Sequence, residues 1–183
     1  MKYKLDDICK IGSSKRIYLS EYKKSGIPFY RGKEIIEKSN NQQTSSELYI
    51  SKERYLEIKY KYEVPHKGDI LLSAVGTLGK SWFVDEEEFY FKDGNLIWLS
   101  NFNNQIVNNK YLFYKLNSKW FKNLIESISI GSTQKAITID SLKKMEILLP
   151  NLDEQYKIVK ILDVMNSKIK NNIETNNNLL LVA

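Results

Sequence analysis

The sequence predicts an α/β (α+β) fold, a mixed-sheet domain carrying a long C-terminal coiled-coil helix, and three observations predict it. Short, bounded apolar runs fill the middle third of the chain, an apolar stripe of helical period spans residues 108–130, and after Pro150 the apolar positions step by four and three in turn. Bounded apolar runs form strands, a stripe near period 3.6 forms an amphipathic helix, and alternating four-three steps form a coiled-coil seam.

Taken in order, Leu5 to Ile11 is expected to be a short helical or capping element, and Gly26-Ile27-Pro28-Phe29-Tyr30-Arg31 a turn entering a strand. Residues 38–47, rich in Asn, Gln, Ser and Thr, read as an exposed loop that contributes to readout. Ser51 is placed to cap a short helix that holds Arg54, ends near Lys61 and buries Tyr55 and Ile58, because its hydroxyl can accept from a free first-turn amide. Lys67-Gly68-Asp69 is a turn, and residues 70–75 and 80–84 are strands. Residues 89–99 hold two more strand-like runs split by Lys92-Asp93-Gly94-Asn95, which suits a tight hairpin. The stripe of Tyr111, Leu112, Tyr114, Leu116, Trp120, Phe121, Leu124 and Ile128 predicts one amphipathic helix ended by Gly131. Residues 137–139 and 145–149 read as short strands, and Pro150 closes the globular part, giving domains at 1–150 and 151–183. Beyond it, Ile158, Leu162, Met165, Ile169, Asn172, Asn176 and Leu179 form a seam that needs a partner helix, unless the helix folds back on its own domain.

Composition narrows the function. Lys and Arg outnumber Asp and Glu by 28 to 22, a net charge of +6 that favours a polyanionic partner without requiring one. Cys9 is the single cysteine and His66 the single histidine, so neither a disulfide within the chain nor a zinc cluster can be built, and no metal is expected. The N-terminus is charged from Lys2 and no apolar run approaches the ~18 residues of a membrane span, so a cytoplasmic location is expected.

Catalytic readings fail on context. Ala74-Val75-Gly76-Thr77-Leu78-Gly79-Lys80-Ser81 imitates a phosphate loop, but Trp82-Phe83-Val84 continues as a strand where that chemistry needs a helix N-terminus. Pro28, Pro65 and Pro150 are never adjacent, which excludes the paired-proline loop of a DNA methyltransferase. Glu57-Ile58-Lys59 lacks the earlier acidic partner of a two-metal nuclease, and Asp85-Glu86-Glu87-Glu88 reads as a solvated turn. Nothing near Cys9 would activate it as a nucleophile, and His66 reads as a turn residue.

What remains are turns where basic, hydroxyl and amide side chains gather: Ser13-Ser14-Lys15-Arg16, Arg31-Gly32-Lys33, Lys92-Asp93-Gly94-Asn95 and Gly131-Ser132-Thr133-Gln134-Lys135. Arg and Lys bind phosphates or guanine, and Gln or Asn can bind adenine by a two-pronged contact.

Four longer stretches give these turns a context: Gly26 to Ile35, Gly68 to Lys80, Phe89 to Leu96, and Gly131 to Ile139, the last running on to Leu149-Pro150-Asn151-Leu152-Asp153-Glu154-Gln155. Together they resemble the DNA-specificity subunit of type I restriction-modification systems. The final heptapeptide looks like that family's Leu-Pro-Pro-Leu-Glu-Glu-Gln lead into its conserved helix, with Asn151 and Asp153 departing from it.

The resemblance implies that residues 1–150 are a target recognition domain for one half of an interrupted double-stranded DNA sequence, and that the helix after Pro150 is the spacer. It implies no catalytic residue and no cofactor in this chain, the partners being a methylation subunit that uses S-adenosylmethionine and a restriction subunit. The family usually carries two recognition units in tandem, whereas this sequence has one, so Ile158, Leu162, Met165, Ile169, Asn172 and Asn176 are expected to pair two copies as a homodimer. The expected DNA contacts are Lys15, Arg16, Arg31, Lys33, Lys80, Lys92, Ser132, Thr133, Gln134 and Lys135, with Lys80 the one that could instead serve packing through its aliphatic stem. The rival expectation is a coiled-coil interaction protein whose basic surface is incidental.

Overall fold

The computed structural model describes residues 1–180 apart from Gln43, Ser45, Glu86, Glu87 and residues 131–134, and apart from the side chains of Asn177, Leu179 and Leu180. The chain starts with β1 (Lys2–Lys4), α1 (Leu5–Ile8) and β2 (Lys10–Gly12), passes a 3-10 turn at Leu19–Glu21, and continues into β3 (Ile27–Tyr30), α2 (Gly32–Ser39), β4 (Tyr49–Ile50) and α3 (Lys52–Lys61). Next come β5 (Ile70–Ser73), β6 (Ser81–Phe83), β7 (Tyr90–Phe91), β8 (Leu96–Ser100), α4 (Asn109–Leu116), α5 (Lys119–Ile128), α6 (Ile139–Lys143), β9 (Glu146–Leu148) and α7 (Leu152–Leu180). This is the expected mixed α/β architecture with a long C-terminal helix.

The centre is an antiparallel sheet of order β2-β8-β5-β6. Both of its faces are covered, which explains why β5 and β8 are buried throughout and apolar up to the serine that ends each, rather than alternating. Ile70, Leu72, Ile97 and Leu99 pack on one side with Leu112, Leu116 and Phe121 of the two helices, while Leu71, Trp82, Leu96 and Trp98 pack on the other with Phe89 and Phe91. A second sheet has the order β4-β3-β7, its β3 and β7 running parallel, and β1 pairs with β9 to bring Lys2 opposite Leu148. The turn before β5 is closed by Asp69, whose Oδ2 accepts from the Trp98 indole N–H at 2.8 Å and from the His66 amide at 2.9 Å. Burial pushes that carboxyl up despite both hydrogen bonds.

Several elements differ from the sequence expectation. The predicted hairpin at Lys92–Asn95 is no hairpin: β7 pairs with β3 and β8 with β5 and β2, so this turn crosses between sheets. The single helix over 108–130 breaks in two. Asn117 sends its amide to Ser81 Oγ at 2.6 Å, and Ser118 caps α5 by accepting from the Phe121 N–H, so the backbone turns here; of the predicted stripe Phe121 is buried while Trp120 is exposed. Helix α5 ends at Ile128, and the expected stop at Gly131 lies outside the described residues. The strand expected at 137–139 is instead the start of α6, because Thr138 Oγ1 caps it by accepting from the Ser141 N–H. Helix α2 runs to Ser39 and takes the first residues of the predicted 38–47 loop. The Ser51 cap and the buried Tyr55 and Ile58 lie where the sequence put them.

Candidate nucleic-acid interface

Hydrogen bonds tie three of the basic turns, and the segment that begins at Lys135, to neighbouring strands and turns. Ser14 Oγ donates to the Phe91 carbonyl at 2.7 Å and the Lys15 N–H to Tyr90 Oη at 2.7 Å, which pins the 13–16 loop against β7. Arg16 Nε then meets Asp93 Oδ2 at 2.9 Å, joining that loop to the crossover turn. The Lys92 N–H donates to the Tyr30 carbonyl, setting Lys92 beside Arg31, and the Ala74 N–H donates to the Asn95 carbonyl, setting the 74–79 turn beside both. On its far side the turn receives the next basic segment, through the Val75–Ala136 bridge and a hydrogen bond from the Ile137 N–H to the Ala74 carbonyl. The segments that carry Lys15, Arg16, Arg31, Lys33, Lys92 and Lys135 are therefore linked to one another through the 92–95 and 74–79 turns.

The phosphate-loop imitation is a structural turn. Ser73 holds it by accepting from the Lys80 N–H at 2.9 Å and donating to the Thr77 carbonyl at 2.5 Å, and Gly79 at φ +72 fits against Ile125. Strand β6 follows directly, so no helix N-terminus faces this loop. Its tip, Gly76 and Thr77, instead joins Arg31, Lys33, Glu47 and Asn95 around an open groove of about 580 Å³.

Lys80 sits off this groove, in a smaller pocket of about 320 Å³ that it shares with Lys122 and Lys135. Ser132, Thr133 and Gln134 lie outside the described residues. Sequence reasoning missed Lys122, an exposed residue of α5 outside its apolar stripe, and it included Glu47 in the 38–47 loop without singling it out. It also missed the aromatic wall beside Lys15, whose ammonium lies 4.7 Å from the centre of the Tyr62 ring.

Charge on these turns is organised rather than merely abundant. Arg31 is held by Glu34, whose Oε1 lies 2.9 Å from Nη2 and whose Oε2 accepts from the Arg31 N–H at 2.7 Å. Burial would raise the Glu34 carboxyl, but these hydrogen bonds outweigh it and hold the group below the usual carboxylate range. Arg16 is more loosely tied, since its pair with Asp93 is mostly solvent-exposed on the arginine side, where water and salt screen the attraction.

Helix α7 divides into a docked and a free face. Asn151 Oδ1 accepts from the Glu154 N–H to start it, and the buried Gln155 accepts from the Asn108 N–H at 2.9 Å while donating to the carbonyls of Ile106 and Pro150. Two turns on, Asp163 accepts from Tyr114 Oη at 2.5 Å and from Lys110 Nζ at 2.8 Å. Burial and then Asp163 push the Tyr114 hydroxyl well above its ordinary range, keeping it a donor. Of the seam residues, Ile158, Met165, Ile169, Asn172 and Asn176 are exposed, whereas Leu162 is half-buried toward the domain. Ile161 and Val164, outside the predicted seam, are 58% and 66% exposed, so the free apolar band is wider than the sequence pattern indicated. Leu179 belongs to the side chains that are not described.

Among the described residues no group of three or more His, Cys, Asp or Glu could hold a metal ion, and no helix is long and apolar enough to cross a membrane.

Comparison with known proteins places this architecture among relatives. Residues 1–180 match the family described as the type I restriction modification DNA specificity domain. The chain is 41% identical over 162 residues to a Haemophilus influenzae protein that bears the name type I restriction enzyme specificity subunit, covering 87% of this chain and 38% of that protein. Two solved structures share the fold. One is the S subunit of a type I restriction-modification system from M. genitalium, with TM-score 0.66, 19% identity, and coverage of 93% of this chain and 40% of that one. The other is the HsdS subunit from Thermoanaerobacter tengcongensis, with TM-score 0.66, 21% identity, and coverage of 92% and 37%.

Proposed function

Because the chain belongs to the type I restriction-modification DNA specificity family, we propose that it supplies the address of such a system: it binds double-stranded DNA, reads one half of an interrupted target, and directs separate methylation and restriction subunits to it. Residues 1–150 act as the target recognition domain and residues 151–183 as the spacer. The observation that supports this reading is that loops far apart in sequence, which carry Lys15, Arg16, Arg31, Lys33, Lys92 and Lys135, are tied to one another by hydrogen bonds and an ion pair. Phosphate contacts from such a set fix register and orientation, and polar side chains among them read base edges. The chain acts in the cytoplasm, contributes no catalytic group, and binds no cofactor; S-adenosylmethionine is held by the methylation subunit.

Two copies pair through the free face of α7, so that two recognition domains address two half-sites. At ~1.5 Å per residue the 29 residues of α7 extend roughly 43 Å, slightly more than one turn of DNA, which suits half-sites facing the same side of the duplex. Co-expression with the methylation subunit in a host without other DNA methylation, followed by mapping of methylated adenines, tests both statements. A symmetric interrupted motif is expected. An asymmetric motif would replace the homodimer by a pairing with a second recognition chain, and the absence of methylation would overturn the function.

A further inference from the structure

The groove lined by Arg31 and Lys33 contains two acids among its bases, of which Glu37 is largely buried 4.0 Å from Lys33 Nζ and Glu47 is the exposed one. Glu47 Oε2 lies 3.6 Å from Arg31 Nη2, and Glu47 Oε1 lies 3.4 Å from Lys33 Nζ, with the Glu47 side chain 65% exposed. These are loose contacts, so both carboxylate oxygens retain acceptor capacity toward a ligand. Arg31 differs, because buried Glu34 fixes its guanidinium from behind, and its Nε is buried without a hydrogen-bond partner among the described residues. Gly32 and Gly76, on the two walls of the groove, have nothing within 4 Å of where a Cβ would stand, which leaves room for a ligand edge between them.

A phosphate is a poor match for this arrangement, since the carboxylate would face its negative charge at close range. The major-groove edge of a G·C pair fits, because guanine presents the N7 and O6 acceptors that an arginine binds with two prongs, and cytosine presents beside them the N4 amino donor that a carboxylate accepts from. Resting on the DNA-reading function above, we propose that Arg31 and Glu47 act together as the reader of one G·C base pair, Arg31 engaging guanine and Glu47 engaging cytosine. Lys33 then serves as the counter-charge that keeps Glu47 in place, and the flanking lysines carry the phosphates. Glu47 is on this reading a specificity-determining residue that the basic pattern of the sequence concealed.

The test maps the methylated motif of the wild type, Glu47→Ala and Glu47→Gln, each co-expressed with the methylation subunit, with thermal unfolding to verify folding. In the wild type each half-site should contain a G·C pair that Glu47→Ala no longer requires, its preference for that pair falling roughly tenfold or more. Glu47→Gln should keep the preference, since the amide oxygen still accepts from the cytosine amino group. An unchanged motif in a folded Glu47→Ala protein overturns the assignment, and so does equal relaxation by both variants, which would make Glu47 a matter of charge alone. Glu47→Ser serves as the truncation should the alanine variant fail to fold. A wild type that methylates nothing instead removes the DNA-reading function, so the two failures are distinguishable.

Discussion

Two residues show how position sets chemistry in this chain. Cys9 is buried, and burial followed by the nearby Asp6 pushes its thiol up to about 12, so no thiolate forms near neutral pH. A thiol reagent such as iodoacetamide should label Cys9 only as fast as the protein opens; rapid labelling of the folded chain at pH 7 would contradict this. Glu34 works in the opposite sense. Its folded carboxyl lies below the unfolded value of ~4.3, so the stabilisation it gives is complete above that pH and is lost as pH falls through the folded value. Glu34→Gln should therefore cost about 1–3 kcal/mol at pH 7, as expected for a damaged buried charge-assisted hydrogen bond, and the gap in urea midpoint should narrow below about pH 4.

Among the elements, the turn between β5 and β6 and the first half of α7 carry the geometry. Gly79 adopts φ +72, and an added Cβ would stand 2.2 Å from Ile125 Cδ1. Gly79→Ala should then lose about 1–2 kcal/mol in urea unfolding, from the left-handed backbone together with displacement of Ile125. Asp163 ties α7 to α4 through Tyr114 and Lys110. Asp163→Ala should leave the core intact but raise hydrogen exchange in the first three turns of α7, with a stability loss of about 1–2 kcal/mol. Unchanged exchange there would mean that the hydrogen bonds of Gln155 suffice to hold the helix.

For the whole molecule, the exposed band on α7 and the basic turns make separable predictions. Replacing Met165 and Ile169, which are 57% and 54% exposed, by Lys should leave the melting temperature within a few degrees while shifting light scattering from twice 21.5 kDa to the single mass. A wild type that stays at the single mass with its methylation subunit present would sink the homodimer. Lys92→Ala should weaken binding to all duplexes alike and reduce the salt slope by about one unit, the signature of a phosphate contact.

The sequence by itself determined what is local or compositional. Hydrophobic period located β5, β6, β8, the helical stretch of α4 and α5, and α7, the Ser51 hydroxyl fixed the start of α3, and the strand following Lys80 disqualified the phosphate-loop imitation. A helix cap or a buried strand depends on neighbours a few residues away, so it is written in the order of the chain. The tertiary structure decided which sheet each strand joined, and so turned the Lys92–Asn95 hairpin into a crossover that holds Lys92 next to Arg31. It also split the helix over 108–130, because Asn117 found a partner in Ser81, thirty-six residues earlier. The site shows the same division. Its lysines and arginines were legible as residue types at turns, but Glu47 entered the groove through contacts with Arg31 and Lys33 that only the folded chain creates, since Coulomb and hydrogen-bond partners are chosen by distance in space rather than by separation in sequence.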